Sequence, residues 1–147
     1  MMLNGSSGEK LRVVIDTSVY VAAALTTGLA EEVILAADRG VFIPLTSEEI
    51  LAELEKTLRR LKISKDKIEL VIGRIRYVTQ VVTPEKTTLT KLRSSLRDPD
   101  DAIIIACAAA AEANIIISLD KDLLDLKTYG PVAIVHPRTF RWIIPEK

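Results

Sequence analysis

The residues of this sequence best placed to do chemistry are acids at the ends of apolar runs. Asp16 directly follows LRVVI, and Asp120 directly follows NIIISL, with Asp122 two residues on. Asp98-Pro99-Asp100-Asp101 stands immediately before AIIIACAAAA, and Glu53 lies inside TSEEILAELEKTL. In open α/β sheets, functional groups gather outside the carboxyl ends of strands. If the runs ending near Asp16 and Asp120 are neighbouring strands, then Asp16, Asp101 and Asp120 converge on one crevice. Carboxylates crowded together repel and raise one another's pKa. A chain tolerates that best when a divalent cation sits among them.

Each acid also has a plainer role. Asp98 suits the N-cap of a helix with Pro99 at its first position, a role that outweighs ligation for this residue. Asp101 then falls at N3, where it offsets the helix dipole and stays fit to bind a cation. Asp120 and Asp122 can simply open a short helix. Glu49 is accounted for by a capping box with Thr46. Glu53 lies at the margin of an apolar stripe, no better placed than Glu55. Asp16 is the hardest to assign to packing.

Other chemistries fail on the residues present. The six Gly lie at 5, 8, 28, 40, 73 and 130, which leaves no GxGxxG and no Walker loop. No Ser sits in a G-x-S-x-G elbow. One His and one Cys exclude a zinc cage and a disulfide framework. His136 precedes Pro137 and reads as a helix cap or a surface residue. Cys107, within an Ala-rich helix, reads as a small core hydrophobe. Any metal must therefore be held by oxygen, which selects Mg²⁺ or Mn²⁺.

The elements that must position these acids follow from periodicity. Residues 11–15 read as a buried parallel strand, followed by helices over 17–25 and 29–39, the latter closed by Gly40. Residues 41–45 read as a second strand, and Pro44 suggests an edge or an early end. Residues 46–61 read as a helix capped by Thr46, with Ile50, Leu51, Leu54, Leu58 and Leu61 on one stripe. A helix from Ser64 and a third strand over 77–82 follow, and 84–97 is ambiguous. A central helix over 99–114, a fourth strand over 114–119, a short helix over 121–127, a fifth strand over 132–135 and a last helix from Pro137 complete the pattern. Strands separated by helices imply a mainly parallel sheet covered on both faces.

With 147 residues, 48% of them hydrophobic and 27% charged, the chain fits one domain over residues 11–147. Residues 1–10 read as a flexible leader or as residues added for expression. Twenty basic against twenty acidic residues exclude an overall polybasic coat but allow a local patch. At 4% aromatics, a row of base-stacking platforms is excluded too. The longest apolar run, residues 102–111, falls short of the roughly 20 residues of a membrane span. The expectation is a cytoplasmic protein. Lys56, Arg59, Arg60 and Lys62, continuing to Lys65 and Lys67, form such a local positive patch, with a solvated helical face as the equal alternative. Arg97, Lys121 and Arg138 are further candidates for local positive charge.

Three blocks, VVIDTSVYVAAAL, TSEEILAELEKTL and DPDDAIIIACAAAAEANIIISLDKDLLDL, resemble the PIN-domain family. The likeness is closest to the small prokaryotic members that include VapC-type toxins, and it spans residues 11 to about 142. It implies a three-layer α/β/α fold with a mainly parallel sheet of about five strands, and a metal-dependent ribonuclease. Asp16, Glu53, Asp101 and Asp120 match the family's catalytic acids. Asp122 matches a further acid, and Asp16, Asp101, Asp120 and Asp122 would hold one or two Mg²⁺ or Mn²⁺ ions. Asp101 is chosen over Asp100 by the family's register. Ser18 and Ser118 match hydroxyls that position substrate or water. A cognate antitoxin and a homodimer are implied partners. A non-catalytic PIN module binding RNA or protein is the alternative. A receiver-type phospho-acceptor is discounted, because Asp16 stands alone after its strand and Thr83-Pro84 follow the third.

Overall fold

Four β-branched-rich or apolar stretches, too short for helices, form the parallel part of a six-stranded sheet together with a short outer strand. The structure is a computed structural model that describes residues 9–145; most of the expected leader lies outside them. The strands are β1 (Arg12–Ile15), β2 (Ile43–Ser47), β3 (Gln80–Val82), β4 (Ile115–Ile117), β5 (Thr128–Tyr129) and β6 (Val132–Val135). Their order is β3-β2-β1-β4-β6-β5, parallel except where β5 pairs antiparallel with β6. The helices are α1 (Thr17–Leu25), α2 (Leu29–Asp38), α3 (Glu48–Arg60), α4 (Lys65–Val78), α5 (Lys86–Ser95), α6 (Pro99–Ala111), α7 (Lys121–Leu126) and α8 (Pro137–Phe140).

Alternation along the strands divides the core in two. Val13, Ile15, Ile115 and Ile117 face α1–α4 and Phe140 of α8. Val14, Leu45, Ile116 and Ile134 face α6, Leu92 of α5 and Leu123 of α7. The result is three layers, α/β/α. The near-continuous apolar surface of α6 is explained by its burial from Asp101 to Ala108; each of Ile104 and Ile105 contributes roughly 1.5–3 kcal/mol. No single helix among the described residues is long and apolar enough to cross a membrane.

Five local expectations are corrected. Pro44 does not mark an edge, because β2 lies inside the sheet with Pro44 opposite Val13. Ile43 donates to Leu11 on the β1 side, and pairing with β3 begins only at Leu45, so the missing N–H of Pro44 falls where no partner strand yet runs. The capping box of Thr46 and Glu49 does not form: Thr46 is buried in β2, and Ser47 caps α3, its Oγ accepting from Ile50 N at 3.2 Å. The third strand begins at Gln80, since Tyr77 and Val78 still belong to α4, whose Ile68 and Ile75 keep a buried register to its last turn. The ambiguous stretch before the central helix is helical, with Leu92 buried and Leu89 and Leu96 packed around it. A sixth strand, β5, adds to the five that periodicity suggests.

Candidate metal centre

The sheet changes direction of growth between β1 and β4. From β1 the chain runs outward to β2 and β3, then returns to place β4 on the opposite side, with Ile15 opposite Ile117. A crevice opens at such a switch point, beyond the carboxyl ends of the strands. Three aspartates stand there as the N-cap residues of three helices: Asp16 before α1, Asp98 before α6 and Asp120 before α7. The positive ends of those helix dipoles favour negative charge at these positions.

The cavity at this point has a volume of about 320 Å³. Asp16, Asp101, Asp120 and Glu53 all line it, and so do Asp98 and Asp100. Its lining holds six carboxylates and no cation. Asp98, Asp101 and Asp120 each offer a carboxylate oxygen within 4.8 Å of the other two. Asp101 is 6% exposed and Asp100 is exposed, so the buried member of the pair is the one inside the triad. Asp98 Oδ1 accepts from Asp100 N, and Asp120 Oδ1 accepts from Asp122 N, both at 2.9 Å. Each of these acids thus uses one oxygen as a cap while lining the cavity.

Asp16 is fixed differently. Its Oδ2 accepts from Ser18 Oγ at 2.6 Å and from Ser118 Oγ at 2.8 Å. Those two hydroxyls in turn accept from the loop after β4, Ser18 from Leu119 N at 3.0 Å and Ser118 from Asp120 N at 2.9 Å. The hydroxyls expected to position water or substrate are therefore engaged with Asp16 itself.

The electrostatics follow from burial and crowding. Burial pushes the Asp16 carboxyl up, the two serine hydroxyls pull it back, and the charge of Asp120 adds to the rise. Asp101 is pushed up to about 7, first by burial and then by the charges of Asp120, Asp98, Asp16 and Asp122. Unpartnered negative charge around an oxygen-only donor set is what a hard divalent cation fits.

The remaining expected residues lie around this centre. Glu53, half-buried on α3, lines the cavity and accepts a long 3.5 Å contact from Thr57 Oγ1. Asp122 lines an adjoining depression with Arg97 and shares Asp101 with the cavity. Lys56 borders another adjoining depression. Arg59 pairs with Glu55, and Arg59, Arg60 and Lys62 line none of these three depressions. The plainer readings of two residues hold: His136 caps α8, its Nδ1 accepting from Arg138 N at 2.9 Å, and Cys107 is buried, its thiol pushed up to about 12 by burial. The sequence presents Asp98 as a cap in preference to a ligand; the signal for its second role is the acid-rich DPDD itself.

Comparison with the curated proteins gives no match. Among solved structures, the chain is similar to VapBC2 from Rickettsia felis bound to a DNA fragment from its promoter, with TM-score 0.62 and 14% identity, covering 86% of this chain and 98% of that one. It is also similar to VapC20 from Mycobacterium tuberculosis, a Sarcin-Ricin loop cleaving toxin, with TM-score 0.59 and 18% identity, covering 78% and 94%. PAE2754 from Pyrobaculum aerophilum gives TM-score 0.61 at 14% identity, covering 88% and 86%. These likenesses concern the fold. A model of the PIN domain matches residues 12–122, spanning β1, the three N-cap aspartates and the first two residues of α7, and the chain belongs to the PIN-domain family.

Proposed function

We propose that this protein is a Mg²⁺- or Mn²⁺-dependent endoribonuclease that hydrolyses RNA phosphodiester bonds, and that it is the toxin of a toxin–antitoxin pair acting in the cytoplasm. The observation that carries the reading is the close triad of Asp98, Asp101 and Asp120 in a cavity whose lining has no cation. One or two such ions, when bound, supply Lewis-acid polarisation of the phosphodiester and a strong oxygen nucleophile at neutral pH. Asp101 and the oxygens of Asp98 and Asp120 would hold the ion, with Asp16 completing the set. Ser18 and Ser118 favour the ionised form of Asp16 against the effect of burial and fix its direction by donating to one oxygen. Glu53, on the wall formed by α3, would complete the site or orient the attacking water. Asp122 supports the centre from the next depression, and Lys56, Arg59, Arg60 and Lys62 offer charge to the RNA backbone. Residues 11–147 act as one unit. Fold neighbours such as VapBC2 support an antitoxin partner, and a homodimer is expected alongside it.

The test is incubation of the purified protein with labelled RNAs and Mn²⁺. Cleavage that EDTA stops, and that Asp101→Asn or Asp16→Asn lowers at least about a hundredfold, supports the reading. Cleavage indifferent to EDTA and to both substitutions ends it. Metal-independent RNA binding without cleavage points to a non-catalytic PIN module instead.

A further inference from the structure

The acidic cavity has a neighbour of opposite character. A depression of about 260 Å³ adjoins it, and Glu53, Asp100 and Ile103 line both. Beyond that shared wall stand Lys56 from α3 and Arg93 from α5, with Glu49 as the remaining carboxylate. Both cations are exposed, and neither makes a salt bridge among the described residues. Elsewhere Arg59, Arg74, Arg76, Lys121 and Arg141 are each matched to a carboxylate. A cation without an internal partner can take a phosphate without first giving up an ion pair. The depression on the other side differs. Beyond its shared Asp101 it sets Arg97 against Asp122 and Asp125, and Asp125 is held low by Lys121.

We propose that Lys56 and Arg93 form a subsite for a phosphate of single-stranded RNA next to the phosphodiester presented at the acidic cavity. This rests on the nuclease reading above and states where the substrate's backbone lies: over α3 and α5 rather than over α7. The physical need is direct. A polyanion approaching six carboxylates is repelled, and attraction must come from flanking phosphates meeting fixed positive charge. With aromatics at 4% of the chain, stacking offers little substitute.

The test combines two readouts. The first is anisotropy of a fluorescein-labelled, mixed-sequence 12-nucleotide single-stranded RNA, titrated in EDTA over a salt series. The second is Mn²⁺-dependent cleavage resolved into KM and kcat. In Lys56→Ala/Arg93→Ala, RNA affinity should fall about tenfold, and the slope of log affinity against log salt should flatten by about 0.7 for each phosphate left without its cation. KM should rise by a similar factor, with the loss falling on KM rather than kcat. Lys56→Arg/Arg93→Lys should regain most of the affinity. Arg39→Ala, which removes one positive charge beside a different depression, should match wild type. An affinity, salt slope and KM indistinguishable from Arg39→Ala would overturn the subsite even where Asp101→Asn abolishes cleavage. Loss of affinity and slope in the double variant, with a wild type that cleaves nothing, would keep the subsite and remove the nuclease reading. No RNA binding by wild type at any salt would remove both.

Discussion

Two depressions on this molecule differ in a way that size does not predict. The larger, about 830 Å³, lies between α2 and the segment around α8, lined by Leu29, Val33, Phe140, Trp142 and Ile144. Of the three charged residues in its lining, Glu32 and Arg141 are matched at 3.6 Å, and Arg39 is the third. The smaller, at the β1/β4 switch point, holds six carboxylates with no cation in its lining. The larger comes within one charge of balance in its own lining. The smaller is built against the fold's own stability, and its electrostatics are satisfied only by something from outside. Unbalanced charge, not volume, distinguishes the functional candidate.

The largest expected effect is on metal-linked stability. Mn²⁺ at about a hundred times its dissociation constant should stabilise the wild type by about 2.7 kcal/mol, seen as a clear rise in Tm by calorimetry. Asp101→Asn should lose most of that rise, while Glu32→Gln at the larger depression should keep all of it. Equal metal responses in the two variants would erase the contrast drawn above.

Without metal the order reverses. Asp101→Asn should raise stability by about 0.5–2 kcal/mol, because it removes a buried charge from a crowd of like charges. The pH profile sharpens this. The Asp101 carboxyl, at about 7 in the fold against an ordinary 3.8, keeps a proton that the unfolded chain gives up. Its contribution is therefore fully present below about pH 4 and is lost as pH rises through about 7. His136, lowered by burial and by Arg138, acts in the opposite direction as pH falls below its ordinary 6.5. Subtracting the Asp101→Asn profile, measured in EDTA, isolates the Asp101 part; a flat difference between about pH 4 and 7.5 would contradict it.

A smaller effect separates the two tasks of Asp98. Asp98→Ala should cost about 1 kcal/mol through the lost cap on α6. Asp98→Asn should keep the cap but weaken the Mn²⁺ response. The smallest effect belongs to the matched pair: Arg141→Ala should change urea-unfolding stability through its ion pair by under about 1 kcal/mol, since both partners are about half exposed.

Much of this centre was legible in the residues, because an acid ending an apolar strand or opening an apolar helix is a local feature. Asp16, Asp101 and Asp120 could be placed that way. The layer order was legible as well, since strands separated by helices leave few alternatives. What was not legible depends on partners distant in sequence. The cap of α3 moved from Thr46 to Ser47 because β2 continues along β3 as far as Ser47 opposite Val82. Pro44 was tolerated inside the sheet because β3 starts one residue later. Asp98 was hidden by its own good fit to a cap. Arg93 was hidden because α5 is polar on most of its surface and packs through Leu92.

The pair of hydroxyls on Asp16 has a mechanical consequence. Ser18 belongs to α1 and Ser118 follows β4, yet both clasp one oxygen of Asp16 while gripping consecutive amides of the loop that carries Asp120. Two segments far apart along the chain are thereby stitched into one rigid seam. Any slippage between them strains the two bonds that cross the seam, Ser118 Oγ to Asp16 and Leu119 N to Ser18 Oγ, so the spacing of the two aspartates is preset before any guest arrives.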